Sequence, residues 1–203
     1  MEDKLAKFFS YLLHPLLMPA LAILLFMNSS TVFTSNLDFN DRMVLFSMVL
    51  ISTLLLPLVI ILFMYFQGMI SSLTMENRKD RILPFFTISI FYYFTYYFLA
   101  RYPLPHVFFN ILMGAFFTSI LVLIVSYFWK ISAHTAGLGG LAGCLWALSI
   151  RLQIDFTLFF AASILIAGIA GWARLKLNTH SQTQIYLGFA AGVAVMFFTI
   201  IYR

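Results

Sequence analysis

Hydrophobic runs dominate the chain and recur at lengths that fit a bilayer. Seven apolar segments can be marked, at about 8–27, 43–66, 84–100, 107–128, 134–150, 156–173 and 184–202. Each is near the roughly 20 residues a helix needs to cross the hydrocarbon, the third, fifth and sixth being slightly short. The pattern predicts an all-α membrane protein, a polytopic transmembrane helix bundle of six to seven spans in a single domain, 1–203. His14, Pro15 and Pro19 are expected to kink or shorten the first span, and Pro57 the second. The first segment is too long for a signal-peptide core and no cleavage site follows it, so it reads as a retained span. Segment 29–41 reads as a polar loop in which Asp38 with Arg42 caps the second span.

Composition sharpens this picture. Of 203 residues, 63% are hydrophobic and 9% charged, and the mean hydropathy is +0.98. No soluble fold carries that balance, and no polar run is long enough to build a separate soluble domain. The single cysteine, Cys144, lies in an apolar segment, so no intrachain disulfide can form. The net charge of +5 reads as membrane anchoring and phosphate handling. Nucleic acid is excluded as a partner, because no basic, aromatic-interleaved soluble patch exists. The aromatic run from Phe85 to Tyr102 reads as an interface belt and lipid-facing surface.

The span count places the remaining polar runs. Segments 76–81, 130–135 and 174–183 follow spans two, four and six, and therefore share one face with the N-terminus. The opposite face receives 38–42, 101–106, 151–155 and Arg203, with fewer charges and no comparable histidines. Polar runs converging at one end of a bundle are how a site is built between helices. In the first run, Glu76 and Lys79 read as a solvated, self-paired loop, whereas Arg81, one turn before Pro84, is expected to point toward the bundle or the headgroups. In the second, Ser132 is a candidate N-cap that sets free backbone N–H groups beside His134, a seat for an anion. Gly137, Gly139, Gly140, Gly143, Gly188 and Gly192 would let spans five and seven approach closely and bring His134 to His180.

The third run, Arg174-Leu-Lys-Leu-Asn-Thr-His180-Ser-Gln-Thr-Gln184, holds ionisable groups where membrane meets water, and such groups there need a reason. If Thr179 or His180 opens the last helix, His180 and Gln184 lie four apart, and the amide oxygen can accept an imidazole N–H. That bond would fix the tautomer and leave the other ring nitrogen as nucleophile or base. Arg174 offers a planar fork suited to phosphate. The alternative is that Arg174 and Lys176 are juxtamembrane anchors and His180 a solvated loop residue.

Together these residues resemble a known family. Lys130-Ile-Ser-Ala-His-Thr135 resembles the Ser-Gly-His element of the type-2 phosphatidic acid phosphatase superfamily of integral-membrane lipid phosphatases. Arg174, five residues, His180, three residues, Gln184 resembles its Arg-x5-His-x3-Asp element. Ala133 stands where that family has Gly and Gln184 where it has Asp. Its early Lys-x6-Arg-Pro element is matched loosely by Arg78, Lys79, Arg81 and Pro84, two spans before the second element. The resemblance covers 76–192, implies a phosphatase-like core at about 76–203, and leaves the first two spans without support.

What the resemblance implies is a divergent lipid phosphatase of the bacterial cytoplasmic membrane, hydrolysing a lipid phosphomonoester or diphosphate through a phosphohistidine. His180 would attack phosphorus, oriented by Gln184; His134 would protonate the leaving oxygen and later activate water. Arg174 and Arg81, with Lys130, Arg78 and the N–H groups after Ser132, would hold the phosphoryl oxygens, so that no metal and no cofactor is required. Two other readings stand beside it: a non-catalytic lipid-phosphate binder or transporter that lost hydrolysis through Gln184, and a structural membrane protein whose polar runs only anchor loops. Positive-inside counting puts the histidine face in the cytoplasm, whereas the resemblance implies the outer face.

Overall fold

A computed structural model describes residues 2–29, 31–75 and 77–203; the expectation for Glu76 lies outside the described residues. Among them, seven helices are long and apolar enough to cross a membrane, so the protein is an integral-membrane, all-α bundle. The first span is assembled from α1 (Glu2–Leu12), a 3-10 turn (Pro15–Leu17) and α2 (Met18–Met27). The second comprises α4 (Phe39–Leu50), a π-helical turn (Ile51–Leu55) and α5 (Leu56–Phe66), after a short α3 (Val32–Ser35). The rest are unbroken: α6 (Lys79–Leu99), α7 (His106–Phe128), α8 (Ala133–Leu152), α9 (Thr157–Lys176) and α10 (Gln182–Tyr202).

The boundaries differ from the sequence reading where proline and caps decide them. α6 begins at Lys79, so Pro84 lies inside the helix rather than opening it. Its missing N–H leaves the carbonyl of Asp80, in the first turn, without an intrahelical partner. This extension makes Arg81 part of the span and buries it to 4% exposure. At the start of α4, the Asp38 carboxylate accepts from the Asp41 N–H at 2.7 Å, a cap in the expected place. Arg42 instead reaches back across the loop, donating to the carbonyls of Met27, of Leu37 at 3.0 Å and of Thr34 at 2.8 Å. One guanidinium thereby satisfies the Met27 carbonyl at the end of span one and two more from α3 and the loop after it.

The tightest packing joins α8 to α10. A Cβ placed on Gly192 would stand 2.0 Å from the carbonyl oxygen of Ala136, and one on Gly139 would stand 2.1 Å from that of Phe189. Only a residue with no side chain allows backbones to approach so closely, and in lipid such dispersion contacts are what hold helices together. Ser132 N–H also donates to the Gln184 carbonyl at 3.2 Å, so the beginnings of the two helices are tied together. At the far end Arg151 donates to the carbonyl of Ile200. Span one belongs to the same core: Ile23 and Phe26 are fully buried, and the Phe26 ring meets Phe108 of α7 edge-on at 5.0 Å.

Candidate functional site

The site grows from three local structures that turn side chains inward at one end of the bundle. At the end of α9, Asn178 takes a left-handed conformation (φ 52°); its N–H donates to Leu175 O at 2.9 Å and that of Thr179 to Arg174 O at 3.2 Å. This pair of bonds is a Schellman motif, with asparagine in the position where most side chains are strained. The chain reverses at once, so Arg174 and His180 face the same space. The last helix is then opened by Ser181, not by Thr179 or His180. The Ser181 hydroxyl accepts from Gln184 N–H at 3.4 Å, and Gln184 Oε1 accepts from Ser181 N–H at 3.2 Å. Ser-x-x-Gln is a capping box that satisfies two otherwise orphaned donors, and it was present in the sequence as Ser181 to Gln184.

Gln184 Oε1 has a second partner, His180 Nδ1, at 2.9 Å. On the other side of the ring, Arg81 Nη2 lies 3.2 Å from His180 Nε2. A guanidinium can only donate, so Nε2 holds its lone pair toward Arg81 and the proton sits on Nδ1. Burial first, and the Arg81 cation second, push the His180 pKa down to about 3, with the Gln184 bond acting in the opposite direction. The imidazole is therefore neutral near pH 7. Arg81 is fixed by two further bonds, from Nε to Met75 O at 2.9 Å and from Nη1 to Ile131 O at 2.7 Å.

The opposite wall comes from α8 and span one. Ser132 caps α8, its hydroxyl accepting from Thr135 N–H at 3.4 Å, which puts His134 in the first turn. His134 Nε2 meets the carbonyl oxygen of Ser10 at 3.0 Å. That carbonyl belongs to the last turn of α1. Its helical partner would be the His14 N–H, but the chain leaves the helix before His14, so the carbonyl is free to meet the histidine instead. A carbonyl only accepts, so His134 carries its hydrogen on Nε2 and leaves Nδ1 as its exchangeable nitrogen. His14 stands beside it, with ring centroids 5.7 Å apart and planes at 74°.

These groups share one cavity of about 280 Å³, lined by His14, Arg81, His134, Arg174 and His180 and continued by Ile61, Ile88, Tyr92, Val122 and Met196. Arg174 is 8% exposed and stands within electrostatic reach of His14, Arg81, His134 and His180. Tyr11, Leu58 and Leu73 both line the cavity and are exposed on the outside of the bundle, at 73%, 38% and 44%. They frame its mouth between spans one and two and the loop before α6. One end of the cavity is cationic and hydrogen-bonding, while the other is hydrocarbon.

No protein family, characterised protein or solved structure matches the chain. The site must therefore be read from its own geometry. Of the residues singled out from sequence, His134, His180, Arg81 and Arg174 line the cavity, and Gln184 stands behind His180. Lys130 lies outside the lining but within electrostatic reach of His180. Arg78 is exposed and donates to the Phe128 carbonyl at 3.0 Å, and the fully buried Ser132 hydroxyl serves as the α8 cap. Among the described residues, no group of three or more His, Cys, Asp or Glu side chains is arranged to hold a metal ion. His14, which the sequence marks only as part of a kink, also lines the cavity. A His-Pro pair within an apolar span was the available signal, since a polar group at that depth needs a partner or a role.

Proposed function

We propose that the protein is an integral-membrane lipid phosphatase, a divergent relative of the type-2 phosphatidic acid phosphatases that cleaves a lipid phosphomonoester or diphosphate in a bacterial cytoplasmic membrane. One observation carries the reading: a single cavity joins a chamber of two arginines and three histidines to an apolar arm. Guanidinium groups suit the tetrahedral, multiply charged head, and the arm suits its hydrocarbon.

In the reaction proposed, the substrate phosphate draws the Arg81 fork off His180 and onto its own oxygens, with Arg174 neutralising the remaining charge. On binding, the monoanionic substrate phosphate gives its own proton to His134 Nδ1; the freed Nε2 lone pair of His180 then attacks phosphorus, the P–O bond to the lipid breaks, and the leaving oxygen takes that proton from His134 Nδ1. A water then attacks the phosphohistidine, giving its proton back to His134, and inorganic phosphate leaves. For a diphosphate, the leaving group is the lipid monophosphate. Gln184 holds the ring in the required tautomer, although a neutral amide stabilises the charge developing on it less than a carboxylate would.

A second reading has its own support. The neutral Gln184 and the Arg81 bond to Nε2 both fit a lipid-phosphate binder or carrier that does not turn its ligand over. Phosphate release across a panel of polyprenyl, phosphatidyl and glycolipid phosphates decides between them. The phosphatase reading expects release that is abolished in His180→Ala and reduced at least about a hundredfold in His134→Ala, the range for a lost general acid. Binding without release selects the carrier, and release that survives His180→Ala removes the nucleophile.

A further inference from the structure

One ring nitrogen of His14 is committed to the backbone of span one, and the other is not needed there. His14 closes the break in span one as the N-cap of the 3-10 turn Pro15–Leu17, with its backbone extended (φ −64°, ψ 133°). Its Nδ1 accepts from the Leu16 N–H at 3.4 Å. The hydrogen of the neutral ring is therefore on Nε2. That side of the imidazole is not needed for capping, a task Asn, Asp or Ser performs at least as well without placing a ring in an apolar span. The ring nonetheless lines the cationic end of the cavity, next to His134 and near Arg174.

We propose that His14 is a phosphate-binding residue, donating its Nε2–H to a substrate oxygen on the His134 side of the chamber. The proposal rests on the lipid-phosphate reading of the cavity. It gives span one a part in recognition: Arg81, Arg174 and His180 meet the phosphate from spans three, six and seven, and His14 meets it from the first. The ligand class is a phosphate monoester or diphosphate with a single hydrocarbon substituent pointing down the arm.

Two substitutions separate the nitrogens. His14→Asn keeps an acceptor near the Nδ1 position, so the turn stays capped, and deletes the donor at Nε2. His14→Gln extends an amide N–H to the Nε2 position. Each is made in the full-length chain carrying His180→Ala, so that dodecyl phosphate is bound without turnover, and binding is followed by calorimetry in detergent. The proposal expects about a tenfold or greater rise in Kd for Asn at unchanged melting temperature, the effect of losing one hydrogen bond to a charged group. Gln should recover most of it. Asn binding as well as histidine overturns the proposal, as does a Gln variant that recovers nothing. Should either variant fail to fold, ¹⁵N-imidazole spectra of the His180→Ala chain decide instead, because bound phosphate must shift the His14 Nε2 resonance and an unmoved resonance overturns the assignment. Dodecyl phosphate that is neither bound nor hydrolysed by the unaltered chain removes the lipid-phosphate reading and this proposal together, whereas binding indifferent to His14 removes this proposal alone.

Discussion

His180 and Arg81 hold each other in a state that pH can disturb. The histidine pKa, about 3 in the folded protein, lies below the roughly 6.5 of an unfolded chain. Between those values the unfolded chain binds the extra proton and the folded one does not. Stability from this group is therefore complete above about pH 6.5 and falls as pH drops toward 3. Melting temperature measured from pH 8 to 4 should decline over that window, and His180→Asn, which cannot titrate, should decline less. Arg81 is exchanged at greater cost. Its fork serves two backbone carbonyls and an imidazole at once, and a lysine ammonium has neither the reach nor the planarity to do so. Arg81→Lys should lower phosphate release at least tenfold and lower the melting temperature, with about 1–3 kcal/mol lost for each buried carbonyl left unsatisfied. The His180–Gln184 pair was legible in the sequence because both residues lie within one turn. The Arg81 bonds to Ile131 and His180 were not, since those partners lie 50 and 99 positions away and no local pattern encodes them.

The helices that carry these residues are set by glycine and by a turn. Gly192 faces the Ala136 carbonyl with no room for a Cβ, whereas a Cβ on Gly168 of α9 would meet nothing within 4 Å. Gly192→Val should push α10 off α8, cost several degrees in melting temperature and separate His180 from His134. Gly168→Ala should raise stability by up to about 1 kcal/mol, because mid-helix glycine is the poorer helix former. Circular dichroism melts of both in detergent check the contrast. At the α9 turn, Asn178→Gly should be neutral or stabilising, and Asn178→Val, forced into a left-handed conformation, should destabilise. Run lengths alone made the spans readable, but not their first residues. Pro84 invites a start at itself, and only the helix around it reveals that one lost bond is tolerable. The capping box Ser181 to Gln184 was written plainly, and its second use, as the seat for His180, depends on the turn before it.

At the scale of the molecule, spans one and two complete the site rather than decorate it. Ser10 orients His134, and Tyr11, His14, Leu58 and Ile61 wall the cavity. A fragment starting at residue 76, the portion covered by the family resemblance, should therefore release no phosphate, and co-expression with 1–75 should restore release if the two pieces co-elute on size exclusion. This role was hidden because a helix break in an apolar span resembles a simple kink until its freed carbonyl finds a partner on a helix more than 120 residues away. The rim of Tyr11, Leu58 and Leu73 carries a last consequence. A ligand that slips through a greasy doorway between two spans comes sideways out of the leaflet rather than down from the aqueous phase. Its bulk molarity then matters little, and turnover should track its mole fraction among the surrounding amphiphiles, falling when inert detergent is added at constant total substrate.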